Sequence, residues 1–414
     1  MSLKEFGTIE EALESGEAKF VVSGKIYENV NGLPRQIPDR GYLVQSSEGT
    51  VRGMAKTEST TQFTALLGSS SQPQSLDTIL YDGVKWVSGP KNQFFDEVEL
   101  IRYGSNHFLN EHRGLIAEGP DGNIYFIPST GSTRNLVVYN IYTKGGYVLS
   151  GFIPSGSFRF LNGAIPASNG KIYLSPFNHD RIGAINTNTH PPTYENIGDT
   201  TVTGYRGAVR VGDKIFFIPN NATSIAVLDV ADNESISFHG DFLGSSKWAD
   251  GILAPNGKIY CIPHAANNIL VITPDSPEDS YIIDDGPSIF SSDKGNLTIG
   301  PDGMIYFVNV QSTSFIYMID PENDTYTRFE YGSNVNYGGC VTAPNGKIYL
   351  IPHRANNVGI FDPIEKTLDR ISLFVDVPVR QYMNAILAED GNIYCGFHTQ
   401  AQTADIMCIK PRMS

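Results

Sequence analysis

The side chains of greatest chemical reach in this sequence are cations, imidazoles and aromatics set at the edges of short polar loops. They are Arg113, Arg206, Lys247, Trp248, Lys294, Tyr337, His264 and His353. Guanidinium, ammonium and imidazole groups suit a polar or anionic ligand, while Trp and Tyr offer flat apolar faces with one polar edge. Other chemistries are not laid out. No nucleophile elbow is present, and no close pair of carboxylates has a neighbour that would tune it. The cysteines Cys261, Cys340, Cys395 and Cys408 lack zinc-ligand spacing and read as small core residues, which fits a reducing compartment. Acidic turns at 229–233, 275–279 and 320–324 resemble calcium loops in composition, but lack the alternating Asp spacing closed by Glu. No metal and no cofactor is expected.

A repeat positions these residues. Its clearest copy runs from Lys247 to Pro274: an apolar run, an Asn-Gly turn, a second apolar run, a polar loop and a third apolar run. The Ile-Tyr or Ile-Phe pair of the second run recurs at Ile124, Ile172, Ile215, Ile259, Ile305, Ile348 and Ile393, at intervals of 48, 43, 44, 46, 43 and 45 residues. A Gly-containing turn precedes each pair, and Pro128, Pro176, Pro219, Pro263 and Pro352 close five of the runs. A fourth, more polar run follows, as at 325–331. Four short strands in each unit of about 45 residues make a β-propeller blade, so the fold class is all-β with seven blades.

The seventh unit supplies only three strands before Ser414. The segment Glu97–Ser105 resembles the fourth strand of the fifth unit, Arg328–Ser333. It is expected to be the outer strand of the last blade and to fasten the ring, which removes an open edge. Strands covered on both faces by neighbouring blades should be apolar almost continuously.

In such a ring, the loops entering the first strand and those joining the second and third strands open on one face. The first set carries Arg113, Arg206, Lys247, Trp248, Lys294, Tyr337, Arg380 and Tyr382. The second carries Ser129, Asn178, His179, Asn220, His264, Asn267, His353, Arg354, Asn356 and His398. His264 and His353 follow the same Ile-Pro in near-identical loops, a repetition that reads as structural rather than ligand-binding. Trp248 and Tyr337 read equally as ligand platforms and as plugs of the channel mouth. Arg113, Arg206 and Lys294 have no counterpart across the repeats, which favours a functional role for them.

Residues 1–93 are of another kind. Residues 1–56 read as a small mixed α/β anchoring module, with a helix over Ile9–Glu14 and strands at Lys19–Val22, Lys25–Val30 and Gly41–Gln45. Residues 57–93 read as a Ser/Thr-rich arm with a hairpin around Asp82-Gly83, and 94–414 as the propeller. The net charge of −14, with no run of Lys or Arg, argues against nucleic acid and anionic membrane as partners. No apolar stretch would span a bilayer, and the N-terminus does not read as a signal peptide. The Asn-x-Ser/Thr sequons at Asn221, Asn233, Asn296 and Asn323 read as incidental to an Asn- and Thr-rich turn composition.

The hairpin Asp77–Val87 resembles one found in bacteriophage tail-fibre and tail-adaptor proteins. The unit Gly-Ile-Leu-Ala-Pro-Asn-Gly-Lys-Ile-Tyr-Cys-Ile-Pro-His is similar to repeats of bacterial, algal and viral propellers and, more loosely, of the virginiamycin B lyase and surface-layer propellers. The separate N-terminal module and arm favour a non-enzymatic virion component. In that reading the module docks into a tail or fibre as one of several copies, and the propeller binds a host glycan, a receptor or a neighbouring subunit. It would be made in the host cytoplasm and carried in the virion. The alternative is a propeller enzyme of the virginiamycin-B-lyase-like type, acting on a small substrate at the channel mouth.

Overall fold

In the computed structural model the chain divides into two units, Met1–Phe94 and Phe95–Ser414. The described residues are the strands of the first unit and, in the second, 97–102, 115–129, 134–155, 160–284, 295–309, 315–332, 335–373, 382–397 and 405–411. In the first unit six strands form one sheet, in the order Leu33–Gln36, Lys25–Val30, Lys19–Val22, Ser2–Phe6, Leu43–Gln45, Val51–Gly53. Thr78–Tyr81 and Trp86–Gly89 form a separate hairpin in which Tyr81 faces Trp86. The helix expected over Ile9–Glu14 and the polar arm lie outside the described residues.

The second unit is an all-β propeller of seven four-stranded sheets. In six of them the strands follow chain order. The last consists of Tyr382–Leu387, Ile393–Phe397, Asp405–Lys410 and, outermost, Glu97–Arg102. The closing strand pairs antiparallel along its whole length, from Glu97 opposite Lys410 to Arg102 opposite Asp405.

The chemistry of the repeat explains its recurrence. In the tight turn between first and second strands the glycine has a positive φ, 82° at Gly257, 79° at Gly303 and 77° at Gly346, which other residues rarely adopt. The polar residue before that glycine engages the tyrosine of the Ile-Tyr pair. The Tyr125 hydroxyl donates to Asp121 at 2.6 Å, Tyr306 to Asp302 at 2.5 Å and Tyr394 to Asp390 at 2.8 Å. Where the turn residue is Asn the polarity reverses, and Asn345 donates to the Tyr349 hydroxyl at 2.9 Å. Six blades thus pin their own hairpin with a buried phenol, the third carrying Phe216 instead, while the neighbouring Ile packs between blades.

Burial falls off outward. The third strand Ile269–Ile272 is buried at every residue, whereas the outer strands Thr325–Glu330 and Thr367–Ser372 are mostly exposed. Continuous apolarity therefore holds for the inner strands, and the fourth strand departs from it because its far edge meets solvent. The four cysteines are free and buried, and burial pushes their thiols up.

Near the axis the inner strands approach so closely that glycine is needed for space. A Cβ on Gly295 would lie 2.0 Å from the Gly338 carbonyl oxygen and 2.5 Å from that of Met383. Gly295→Ala is expected to cost about 3 kcal/mol, the upper end of ordinary overpacking. Urea unfolding with an unchanged midpoint would show that the strands part at no cost.

Candidate functional site

Phe160, Tyr205, Trp248, Tyr337 and Tyr382 open five inner strands, each opposite the last residue of its second strand. All five are buried. Of the two readings of Trp248 and Tyr337, ligand platform and plug, their burial fits the second. Trp248 is 1% exposed, donates its indole N–H to Asn268 Oδ1 at 3.2 Å and packs edge-on against Phe242. Tyr337 is fully buried and donates to Asn357 Oδ1 at 2.6 Å. Both are wedges in the ring wall.

Just beyond these aromatics the pairing register shifts, between Phe160 and Ala164, Tyr205 and Ala208, and Trp248 and Asp250. Such bulges release a residue from the ladder and re-aim its side chain. The released positions include Asn162 and Arg206, and Asn162 has a φ of 57°; Asp250 is the first residue paired again after its bulge, opposite Ile262. Gly207 lets the third and fourth inner strands meet, since a Cβ there would lie 2.8 Å from Asp250 Cα.

The three side chains converge with two loop residues. Arg206 is 4% exposed; its Nε donates to Asn162 Oδ1 at 3.3 Å, and its Nη1 lies 3.0 Å from His264 Nε2. Asn220, fully buried, places Nδ2 at 2.6 Å from the Trp248 carbonyl oxygen and 3.3 Å from His264 Nδ1. Burial raises the Asp250 carboxyl to about 8, against the opposing pull of the Gly251 N–H, Arg206 and Asn162. At neutral pH Asp250 is therefore mostly the uncharged acid. The cluster combines a cation, an imidazole, a neutral acid and two amides; His264 and Asn162 are half-buried and the other three are buried.

The other expected residues fall elsewhere. Lys247 is 7% exposed, and its ammonium donates to the carbonyls of Asn220, Ala222 and Gly244 at 3.1, 2.8 and 2.9 Å. It latches two loops together, and burial lowers its pKa. His353 is buried in the sixth blade. Its backbone N–H reaches the Asn336 carbonyl at 3.1 Å, as that of His264 reaches Lys247 at 2.7 Å. The near-identical loops thus share a backbone clasp, and the His264 ring adds its contact with Arg206. Arg113 and Lys294 lie outside the described residues, as do Arg380 and His398.

Asn162 and Asp250 were missed by the sequence reading because they sit within strands. Their signal is a polar residue between the opening aromatic and the apolar run. Asn384 stands in the same register as Asp250, opposite the residue before its second strand's end. Asn296 bridges deeper in, donating to the carbonyls of Cys340 at 3.0 Å and Ala385 at 2.9 Å. The opposite ends of the inner strands frame a recess of about 650 Å³ lined by Glu118, Arg210, Leu387 and Glu389, which contains none of the candidate residues.

No protein-family model and no curated protein matches the sequence. Solved structures do match. A streptogramin B lyase superposes with a TM-score of 0.59 at 14% identity, over 78% of this chain and 100% of its own. A catalytically inactive His-to-Ala variant of virginiamycin B lyase from Staphylococcus aureus, with quinupristin, gives 0.60 at 14% identity, over 76% and 99%. The extracellular domain of a protein assigned to a hybrid two-component system of B. thetaiotaomicron gives 0.54 at 14% identity, over 77% of this chain and 40% of its own. At these identities the likeness establishes the seven-bladed fold. It also overturns the expectation of a non-enzymatic virion component: these rings are two lyases and an extracellular domain assigned to a two-component system, not tail or fibre proteins. The tail-fibre resemblance of the Asp77–Val87 hairpin gains no support from them.

Proposed function

We propose that the ring is a propeller enzyme of the virginiamycin-B-lyase-like type, acting on a small polar substrate at the channel mouth. The supporting observation is the contact of His264 Nε2 with the Arg206 guanidinium at 3.0 Å, beside a carboxyl raised to about 8. A lyase breaks a bond by elimination: a base removes a proton next to a carbonyl, the pair of electrons left behind forms a double bond, and the leaving group departs. His264 is the group placed to take the proton, since of the two half-buried members, His264 and Asn162, only the imidazole is a base. Arg206, which cannot lose its own proton, is suited to hold the negative charge that develops on the carbonyl oxygen. Asp250, uncharged at neutral pH, does not neutralise that cation. Two function classes with opposite demands, a base and an electrostatic stabiliser, thus meet at one point.

The test is turnover by the full chain of cyclic depsipeptides, quinupristin among them, and of small acids and esters carrying a leaving group β to a carbonyl. Elimination in a ring opens it without changing its mass, whereas hydrolysis adds a water. His264→Ala is expected to lower the rate roughly a hundred- to ten-thousand-fold, the usual contribution of a general base. Undiminished turnover in that variant would remove His264 from the chemistry, and binding without turnover would make the ring a receptor.

A further inference from the structure

The recess at the opposite ends of the inner strands, about 650 Å³, has the volume of a small-molecule pocket. Its charged groups come from blades that are not all neighbours. Glu118 ends the inner strand of the first blade, and Glu389 lies in the turn that follows the inner strand of the last. Arg210 stands near the end of the third blade's inner strand. The second blade lies between and contributes Ala164, Pro166 and Ala167 to the wall, while the last blade adds Ile386 and Leu387. Leu387 is 37% exposed, an apolar surface that a ligand with an apolar body would cover.

The acidic side carries unbalanced charge. Both oxygens of the Glu118 carboxylate accept from the Glu389 N–H, at 3.2 and 3.1 Å, which draws the two acids together. Burial raises the Glu118 carboxyl; the Glu389 N–H opposes that, and the charges of Glu389 and Asp390 add to it. Among the described residues neither Glu118 nor Glu389 is paired with a cation. Beside them stands Tyr142, 64% exposed, whose hydroxyl donates to Glu389 Oε2 at 3.3 Å. Its ring borders Gly122 of the recess wall, where a Cβ would lie 3.8 Å from it. Two carboxylates and an open aromatic face suit an ammonium group. A bare metal ion suits them less, because no group of three metal-ligating side chains stands together among the described residues.

The basic side is held in place. Arg210 Nη1 donates to the Pro166 carbonyl at 2.7 Å, which fixes the exposed guanidinium at the end of the second blade's strand. That is its one hydrogen bond among the described residues, so the rest of the donor fork is open to a carboxylate.

We infer that this recess binds a short apolar peptide by both its ends, with the terminal ammonium at Glu118 and Glu389 beside Tyr142 and the terminal carboxylate at Arg210. A single α-amino acid carries both charges on one carbon, whereas the two walls are separated by the width of the second blade. A peptide parts its charges by up to about 3.5 Å per residue. The recess shares no residue with the cluster around His264, so the inference stands whether or not that cluster is catalytic.

The test is isothermal titration calorimetry of the full chain with trialanine, its N-acetylated and C-amidated forms, and free alanine. Saturable binding of trialanine is expected. Blocking either end should weaken it roughly ten- to a hundredfold, the effect of losing one charge-assisted bond, and free alanine should bind more weakly than the tripeptide. Arg210→Gln and Glu389→Gln alter exposed side chains, so both variants should fold. Each should weaken trialanine, but Arg210→Gln should bind the C-amidated peptide, and Glu389→Gln the N-acetylated one, as the parent does. His264→Ala should bind trialanine unchanged. The inference is overturned if trialanine gives no saturable heat, if blocking its ends costs nothing, or if free alanine binds equally well. Parental affinity for trialanine in both Gln variants overturns it too, and loss of binding in His264→Ala would place the peptide at the other end of the ring.

Discussion

A chain beginning at residue 105 is expected to be recovered as aggregate, whereas one beginning at residue 91 folds to a monomeric ring. The difference is the strand Glu97–Arg102, whose six residues complete the last blade against Asp405–Lys410. Val98, Leu100 and Ile101 pack, half-buried, on the core shared by the first, sixth and last blades, and Glu99 pairs with Lys410 at 2.8 Å. Half-burying three aliphatic side chains contributes about 3 kcal/mol, a large share of the 5–15 kcal/mol by which folded domains are stable. Removing the strand also uncovers the ladder edge of Asp405–Lys410, whose Ile406, Met407 and Ile409 are fully buried in the intact ring. An unpaired apolar edge is a template for association. Light scattering on both truncations decides it: a soluble, cooperatively melting 105–414 chain would mean that the last blade holds with three strands.

Much of this ring is written in short-range chemistry, which is why the repeat revealed it. The Asp-Gly or Asn-Gly turn, the Ile-Tyr pair and the closing Pro are neighbours in sequence and act locally, and the clasp of Tyr306 on Asp302 spans four residues. The closing strand was legible because it copies another blade's outer strand. The candidate site was legible only by residue type. Whether Trp248 faces a ligand or a neighbouring blade depends on Phe242 and Asn268, and nothing in the repeat states that geometry. Lys247 read as a surface cation, but its loop folds so that three carbonyls surround the ammonium. The joining of Arg206 to His264 spans 58 residues and depends on a bulge in one blade and a loop of the next. Bulges leave a weak trace in sequence, since one extra unpaired residue looks like part of a strand.

Asp250 should make the ring less stable as pH rises through neutrality. Its carboxyl is raised to about 8 in the folded protein, mainly by burial, against about 3.9 in an unfolded chain. Between those values the folded state keeps a proton that the unfolded state has released, so stability falls with rising pH by up to about 1.4 kcal/mol per unit. The contribution is fully present below about pH 4 and is lost as pH passes through 8, on the order of 5 kcal/mol across the window. Other groups tilt the profile as well. Glu118 is raised by burial and adds the same slope, while Asp362, lowered with Lys347 bound to it, opposes it at acid pH. A difference between two proteins cancels those terms. Asp250→Asn keeps an acceptor for the Gly251 N–H, which lies at 2.9 Å, and cannot ionise. It is therefore expected to gain on the parent steadily as pH rises from 5, and to melt several degrees higher relative to it at pH 8.5 than at pH 5, with Arg206 and His264 unchanged in both. Thermal melts of the two proteins at half-unit steps from pH 5 to 9 make the comparison. Parallel curves would mean that the carboxyl is ionised throughout, held by Arg206 as an ion pair, and the neutral acid assigned to the channel mouth would have to be withdrawn.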